Sequence, residues 1–388
     1  MILLLLIGTF TQGLGQEKEP KKEEEKEKNW FLTGYVKNLQ SIVFFDNPGL
    51  ISPLNDNLIH QRLNYKHFIG DHWQIKAGLR TRLFLGESVK LNPNYGPDIN
   101  ATGNDVFDLS GVWLDRPGVV GHSIIDRAYV EYSKGDYEVK VGRQRINWGI
   151  SSIWNPNDLF NAFAFTDFDY EERPGSDAIL VRKYTGYASS IELAFKLTAD
   201  PEKSVVGLLW KFNKGSYDIQ ILGAYHKEDL VLGGGWAGNI GNGSFKGETS
   251  YFYSLDEDRE NALALTLGYE YQFENSLFLS VGYLYNGAGQ KSGNILELFS
   301  FELSARNLYP YRHSLVVSSS FPLNPLINGG LSIIYSPNEN HPLFFTPNLS
   351  LSMAEDWDLS LVGQLVFAKA QNYNSPLQAT YLRVKYSF

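Results

Sequence analysis

The sequence predicts an all-β protein: a transmembrane antiparallel up-and-down β-barrel of about 18 strands, with short periplasmic turns and long extracellular loops. Three observations predict this fold. The chain is rich in aromatic residues and glycine, with 23 Tyr, 24 Phe and 36 Gly among 388 residues. Many segments alternate apolar and polar residues with a period of two. Beyond the amino terminus, no apolar run approaches the roughly 18 residues of a transmembrane helix, so a membrane-spanning chain must form a closed barrel.

The amino-terminal 29 residues are predicted to lie outside the barrel. Residues 1–15 have the pattern of a signal peptide, with small residues Gly13 and Gly15 before a cut at Gln16, which predicts export through the Sec pathway. Residues 16–29 are dominated by Lys and Glu and cannot bury apolar area, so we expect a charged periplasmic tether. The barrel is predicted to occupy residues 30–388.

The strands are predicted from their period of two. In residues 73–85, apolar side chains fill every second position, while Lys76, Arg80 and Arg82 lie on the opposite face. The same alternation recurs in residues 262–273 and 357–367. A single apolar face with aromatic residues towards its ends, and one small or polar face, suits a wall between lipid and water.

The spacing of the strands separates a barrel from a soluble sandwich, which also alternates. Short turns and long connections are expected to be strictly interleaved, and an even number of strands places both termini in the periplasm. The short turns are predicted at residues 70–72, 134–136, 213–215, 274–276, 323–325 and 355–356, and the long connections at 86–122, 149–176, 288–311 and 370–379.

The final strand carries a predicted assembly signal. Leu382, Val384, Tyr386 and Phe388 share one face, and the chain ends on an aromatic residue. This resembles the terminal strand by which outer-membrane proteins are recognised for assembly. Tyr386 and Phe388 are therefore predicted to contact the barrel assembly machinery.

The inward face is predicted to be net basic although the whole chain has a net charge of −9. Two interpretations remain open: an electropositive wall that attracts anionic solutes, or a set of cations that pair with Glu131, Glu138 and loop acids to hold an inward-folded loop. The predicted lumen-facing, solute-facing residues are Arg62, Arg80, Arg82, Arg127, Lys140 and Arg182.

Residues 142–177 form the most distinctive segment. The alternation slips there, because Arg143 shares the register of the lipid-facing Val139 and Val141; a bulge at Gly142 or emergence from the bilayer would resolve this. The loop 149–176 mixes aromatic and acidic residues, which predicts that it folds inward as a constriction. Its predicted constriction residues are Trp154, Asp158, Phe160, Asp167, Asp169, Glu171, Glu172 and Arg173.

This same segment carries a family resemblance. The Gly-Arg-Gln and Trp-Gly residues of 142–149 and the run Trp-Asn-Pro-Asn-Asp-Leu-Phe at 154–160 resemble poorly characterised porin-like outer-membrane proteins, notably of Bacteroidota. The Gln after the predicted cleavage site and the Lys/Glu-rich leader resemble that phylum too. The resemblance implies an outer-membrane channel and names no solute.

Other classes of function are disfavoured. The absence of Cys removes disulfides and a cysteine nucleophile, and the acidic net charge disfavours nucleic acid as a partner. The seven histidines stand beside no nucleophile motif, so no enzyme is predicted. We predict no cofactor and no metal site, because the acidic runs at 167–172 and 256–258 lack a calcium-loop signature and are better explained as solvated loop tips.

Two functions therefore remain. The first is a porin-like outer-membrane channel for passive diffusion of small solutes, anions in particular. The alternative is a loop-plugged barrel that serves as an accessory or scaffold subunit of a larger complex with surface lipoproteins or other barrels. The expected partners are outer-membrane lipid and lipopolysaccharide, small solutes and the assembly machinery, with other outer-membrane proteins in the alternative.

Overall fold

The structure, a computed structural model, describes residues 28–46, 52–101, 106–162, 169, 175–291, 301–369 and 372–388. Two short helices, α1 (Glu87–Leu91) and α2 (Tyr95–Asn100), and a 3-10 turn at Pro201–Lys203 accompany 19 strands. Among the described residues, no helix is long and apolar enough to cross a membrane. The strands are β1 (Trp30–Phe45), β2 (Leu54–Ile69), β3 (Trp73–Gly86), β4 (Ser110–Arg116), β5 (Val119–Lys134), β6 (Tyr137–Gln144), β7 (Ser176–Gly186), β8 (Ser189–Lys196), β9 (Val205–Lys214), β10 (Tyr217–His226), β11 (Asp229–Ile240), β12 (Gly243–Ser254), β13 (Ala262–Gln272), β14 (Phe278–Asn286), β15 (His313–Asn324), β16 (Ile327–Tyr335), β17 (Leu343–Ala354), β18 (Trp357–Lys369) and β19 (Tyr373–Ser387).

The sheet closes on itself because β1 pairs with both β2 and β19. At this seam, Gly34 and Phe388 exchange backbone hydrogen bonds of 2.8 and 2.9 Å. Among the described strands, β4 pairs with β5 alone, alongside residues 119–124, and so lies outside the circle. The circle of β1–β3 and β5–β19 is therefore a closed antiparallel 18-strand barrel, which confirms the predicted fold class.

The outer surface follows the predicted period of two. Leu193, Leu208 and Leu232 point outward and are 50–69% exposed, whereas the inward Leu209 and Leu222 are buried. A soluble protein would bury most of these large apolar side chains. A surface that exposes them is stable only where the surroundings are apolar.

Aromatic side chains ring both ends of this apolar surface. Trp73 and Tyr132 lie 4.6 Å apart at the end of the short turns, and Trp357 and Tyr386 lie 4.9 Å apart at the same end. Amphipathic rings of this kind favour the two interfaces of a bilayer. At the opposite end, the ring pairs are Tyr285–His313, Tyr335–His341 and Phe367–Tyr373.

The predicted strict alternation of connection lengths is wrong in two places. Lys227 and Glu228 alone join β10 to β11 at the end where the long connections lie, and both have positive φ, as in a two-residue hairpin turn. The segment 370–379 is not a long connection, because β18 runs to Lys369 and β19 begins at Tyr373. The backbone ladder continues there although the polar Asn and Ser residues give no apolar alternation.

The segment predicted as a long connection at 86–122 contains α1, α2 and β4, and β5 begins within it. These elements cover the long-loop end of the wall formed by β2, β3 and β5. Phe84 packs edge-on against Tyr95 of α2, with ring centroids 5.4 Å apart. This connection is therefore a small folded cap.

Candidate functional site

The inward segment, residues 145–162, follows β6 and packs against the inner wall of the barrel. Trp148 is buried at 1% exposure, and its Nε1–H donates to Glu192 on β8 at 3.2 Å. The backbone carbonyl of Trp148 accepts a 2.7 Å hydrogen bond from Gln220 on β10. Phe160 stacks edge-on against Trp148 at 4.9 Å. Both ends of the segment thus share one buried aromatic contact.

Glu248 of β12 fixes the middle of the inward segment. Its buried carboxylate accepts hydrogen bonds from the backbone N–H groups of Ile150, Ser151 (2.5 Å) and Asn157 (3.1 Å). A carboxylate that accepts several backbone N–H bonds satisfies donors that would otherwise be buried without partners. Glu248 therefore acts as a positioning residue for the segment.

Asn157 forms the second attachment at this point. Its side-chain amide donates to the carbonyl of Gly234 at 2.9 Å and accepts from Ser250 at 2.7 Å. Asn157 itself is fully buried. The amide therefore links the segment to both β11 and β12.

Glycines make room for the inward segment. A Cβ at Gly207 would lie 2.7 Å from the Trp148 ring, and a Cβ at Gly235 would lie 3.1 Å from Ile150. A Cβ at Gly233 would lie 2.9 Å from the amide oxygen of Asn157. The glycine run 233–235 on β11 is thus the seat of the segment.

A second long connection packs on the same segment. Ile153 and Trp154 form a buried cluster with Leu308, Tyr309 and Tyr311, and the rings of Trp154 and Tyr309 lie 5.9 Å apart. Burial raises the pKa of the Tyr309 hydroxyl well above its usual value. The two connections therefore support each other inside the barrel.

The described residues among those predicted to form the constriction lie as follows. Trp154, Asp158 and Phe160 are buried at 2%, 0% and 4% exposure. The Asp169 carboxylate forms an ion pair with Lys37 on β1 at 2.7 Å and lies 3.4 Å from Arg383 on β19. An acidic side chain of the predicted loop thus meets cations of the wall. Asp167, Glu171, Glu172 and Arg173 lie outside the described residues.

Two of the predicted lumen-facing arginines contact a carboxylate that the alternation of the sequence did not reveal. Arg62 and Asp126 form a bidentate pair at 2.7 and 3.0 Å, each 1% exposed, and Arg80 approaches the same carboxylate at 3.7 Å. Asp126 is the bulged residue where the register of β3 and β5 shifts. The bulge allows Asp126 and Arg127 to lie on the same side of the wall.

One row of side chains crosses four strands directly next to this pair. Lys37, His60, Arg82 and His122 are aligned in register on β1, β2, β3 and β5. Arg82 contacts the Nδ1 atom of His122 at 3.1 Å. The row therefore continues the basic character of the wall towards the long-loop end.

Nearer the short turns, the predicted cations are matched by carboxylates. Lys140 lies 3.1 Å from Glu138, and Arg182 lies 2.8 Å from Glu138 and 3.1 Å from Glu192. Lys140 also lies 3.6 Å from Glu131. This part of the wall is an ion-pair network, as the second interpretation of the sequence expects.

The slip in alternation at residue 142 has a backbone cause. Gly142 has a φ of +119°, while the pairing register of β6 stays regular through it, so no inserted residue is needed. Arg143 turns inward and forms a buried pair with Asp177 at 2.8 Å. This pair also holds the backbone of Phe107, since Arg143 donates to its carbonyl and Asp177 accepts from its N–H.

Two cavities lie on either side of the Arg62–Asp126 pair, the upper one towards the long connections and the lower one towards the short turns. The upper cavity, about 470 Å³, is lined by Asp126, Arg80 and Phe160 among others. The lower cavity, about 590 Å³, is lined by Arg62, Lys76 and further residues of β1–β5. The upper cavity is also lined by Arg82, Arg143, Lys196 and Lys227.

The part of the wall formed by β15 and β16 is uncharged. Ser314 and Ser336 are hydrogen-bonded at 2.7 Å, and Ser318 and Ser332 at 2.8 Å. These hydroxyls lie on the inward side of β15 and β16, opposite in alternation to the exposed Leu315. The lumen therefore has one ionic wall and one hydroxyl wall.

The remaining predicted residues and chemistry are placed as follows. Phe388 closes the seam against Gly34, and Tyr386 lies in the aromatic ring of the short-turn end. Among the described residues, no group of three or more His, Cys, Asp or Glu side chains is placed to hold a metal ion.

No protein-family model matches the sequence, and no curated protein matches it. Solved structures do share its fold. OccAB4 of Acinetobacter baumannii aligns over 94% of this chain and 100% of its own, with a TM-score of 0.59 and 11% identity. OccK11 (OpdR) of Pseudomonas aeruginosa aligns over 92% and 96%, with a TM-score of 0.58 and 11% identity. The outer membrane protein OprD of Pseudomonas aeruginosa aligns over 93% and 94%, with a TM-score of 0.57 and 10% identity. At these identities the likeness establishes the fold, the closed antiparallel 18-strand barrel.

Proposed function

We propose that the chain is a porin-like channel of the outer membrane through which small solutes diffuse passively. An apolar outer surface between two aromatic rings is what a membrane-embedded barrel requires. The likeness in fold to an outer membrane protein supports the same location. In this proposal the short turns and both termini of the barrel-forming chain face the periplasm, and the long connections face the cell exterior.

The observation that carries the proposal is the pair of cavities that flank Arg62 and Asp126 inside the closed wall. The inward segment is packed against the wall of β8–β14, so the ionic wall of β1, β2, β3 and β5 remains to line a path. The narrow part of that path lies between the Arg62–Asp126 pair and the inward segment, and Asp169 adjoins it through its ion pair with Lys37.

Anions are the solutes that the charges favour. Among the described residues, five cationic side chains and the single carboxylate of Asp126 line the upper cavity. Nearer the short turns, the carboxylates of Glu131, Glu138 and Glu192 balance the cations. Each interpretation of the basic wall thus applies to one depth of the barrel. Towards the short turns the cations form ion pairs, and towards the long connections they form an electropositive entrance.

Reversal potentials in a salt gradient test this assignment on purified barrels in planar bilayers. We expect anion preference in the native protein and a clear loss of it in the double variant Arg80→Gln, Arg82→Gln. The matched control is Arg182→Gln, which removes an inward arginine from the balanced network. Cation preference in the native protein would contradict the assignment of anions as the favoured solutes. Equal loss of anion preference in the double variant and in Arg182→Gln would contradict it as well.

The number of hydrogen bonds that anchor the inward segment to the wall favours a second function. Glu248, Trp148 and Asn157 hold the segment so firmly that it would also suit a plugged barrel serving as an accessory subunit. Such a barrel would stay closed in the bilayer and conduct only after residues 149–176 are deleted. That result would favour the accessory-subunit function over the channel function.

A further inference from the structure

The outer surface of the barrel carries an unexpected polar area on β1 and β2. Strand register places Asn38, Gln40, Asn55, Asn57 and Gln61, which we call the amide patch, on the same side as the exposed Val36 and Ile59. The opposite side holds Lys37, His60 and Arg62 and faces the lumen. The patch therefore points away from the barrel interior.

The amide patch is a connected network. Asn38 donates to Asn57 at 2.9 Å, and Asn57 donates to Gln40 at 3.0 Å. Gln40 in turn donates to Asn55 at 2.6 Å. Asn38, Asn55 and Gln61 are exposed, and Gln40 and Asn57 are half-buried. The network thus presents polar atoms to its surroundings.

No other part of the described wall resembles the amide patch. Alternation from the exposed apolar residues places no Asn or Gln on the outward side of any strand from β6 to β18. Outward positions there are occupied instead by residues such as Ile191, Leu208, Ile221, Val281, Val317 and Leu361. Gln378 on β19, aligned with the outward Phe44, adjoins β1. The concentration of carboxamides on β1 and β2 is therefore a local feature with a local cause.

The depth of the amide patch makes exposure to lipid costly. Val36 is aligned with Tyr386 of the aromatic ring at the short-turn end, and Asn38 and Gln40 lie two and four residues beyond Val36 on the same strand, which corresponds to roughly 5–10 Å of height at a strand tilt of about 40°, inside an apolar band about 25 Å tall. The apolar Ile42 and Phe44 continue the outward row beyond Gln40. Each carboxamide has two N–H donors and an acceptor oxygen, and lipid tails offer no partner to either.

An aromatic anchor adjoins the amide patch. Gln61 is aligned with Thr81 on β3, and Thr81 bonds to Ser123 on β5 at 3.0 Å. Ser123 accepts a 3.1 Å hydrogen bond from the indole of Trp113, which is 56% exposed and covers Gly121. Exposed Trp side chains are enriched among the anchoring residues of protein interfaces.

We propose that the amide patch is the contact surface of a homodimer, with a second copy of this chain seated against the same patch. Carboxamides carry both donors and acceptors and no charge, so one copy of the patch is complementary to another. A two-fold axis parallel to the membrane normal keeps both barrels in the same orientation and brings residues of equal depth together. This proposal rests on the membrane location proposed above and not on conductance.

Cysteine cross-linking tests the homodimer directly because the native chain contains no cysteine. Ile59→Cys places a single thiol in the apolar frame of the amide patch and leaves every carboxamide intact. The matched control is Leu232→Cys, a 69% exposed position on the opposite side of the barrel. Both variants are oxidised in native outer membranes, and heat-modifiable gel migration verifies that each barrel is folded.

We expect a covalent species of twice the monomer mass for Ile59→Cys and monomer for Leu232→Cys. Adding Asn38→Leu and Asn57→Leu to Ile59→Cys should lower the cross-linked fraction about tenfold, because the cross-interface hydrogen bonds are lost. Monomer in both single variants, equal dimer in both, or a product of a different mass would overturn the homodimer. Conductance of the same samples shows separately whether the channel proposal holds.

Discussion

The carboxylate of Glu248 on β12 accepts a hydrogen bond from the backbone N–H of Asn157 at 3.1 Å, across 91 residues of sequence. The same carboxylate accepts from Ile150 and Ser151, so one side chain holds both limbs of the inward segment. A wall residue that satisfies three loop donors fixes the loop more strongly than apolar contact alone would. The shape of the lumen thus depends on this residue.

Replacing Glu248 should loosen the inward segment without opening the barrel. Glu248→Ala leaves three backbone N–H groups, that of Asn157 fully buried, without their acceptor, which costs about 2–4 kcal/mol. We expect larger current fluctuations in single-channel recordings and faster proteolysis within residues 145–162. Asp218→Ala, at an exposed position on the inner face of β10, is the control. Native current noise in Glu248→Ala would show that the segment is held by other contacts.

The glycine seat gives a second test of the same packing. Gly207→Ala places a methyl group 2.7 Å from the Trp148 ring and should destabilise the protein by about 1–3 kcal/mol, as overpacking does. Gly223→Ala on the neighbouring strand meets nothing within 4 Å and serves as the control. The measurement is thermal unfolding followed by gel migration. Equal stability of the two variants would mean that Trp148 is not seated on β9.

The buried Arg62–Asp126 pair should govern both stability and selectivity. Asp126→Asn removes the only carboxylate among the described residues that line the upper cavity, so anion preference should rise. The buried guanidinium of Arg62 loses its ionic partner, which lowers stability by about 3–5 kcal/mol. Reversal potential and unfolding temperature measure the two effects. Unchanged selectivity would place the permeation path away from this pair.

The carboxy-terminal residue should affect assembly more than stability. Phe388→Ala removes an aromatic ring that is predicted to be recognised during assembly, but its backbone bonds to Gly34 remain. We expect less folded barrel in the outer membrane, measured as heat-modifiable protein, with normal stability of the barrels that form. Ser387→Ala is the adjacent control. Equal yields of the two variants would argue against Phe388 as an assembly signal.

The sequence predicted the wall well because lipid and water impose a period of two on every strand. Rows such as Ile221 opposite Trp210 repeat that rule along the outer face. The inward direction of the basic residues followed from the same alternation. The strand number followed because each hairpin has its own turn residues, such as Gly135 with its φ of +56°.

The lumen could not be predicted to the same depth because its contacts join distant parts of the chain. Nothing near Glu248 in the sequence indicates a partner at Asn157, although the glycine run 233–235 marks a place where other backbone approaches closely. Asp126 was missed because the bulge on β5 breaks the alternation there. The amide patch went unnoticed because alternate polar residues in β1 and β2 look like lumen residues until the register assigns them.

The most direct test of the channel is a blocking experiment on single channels of Ser318→Cys. Ser318 lies on the hydroxyl wall, and Val317→Cys places the thiol on the outer surface next to it. A charged, thiol-reactive methanethiosulfonate should lower the current of Ser318→Cys in one step and leave Val317→Cys unchanged. A barrel without current, or equal effects at both positions, would contradict a solute path through the lumen.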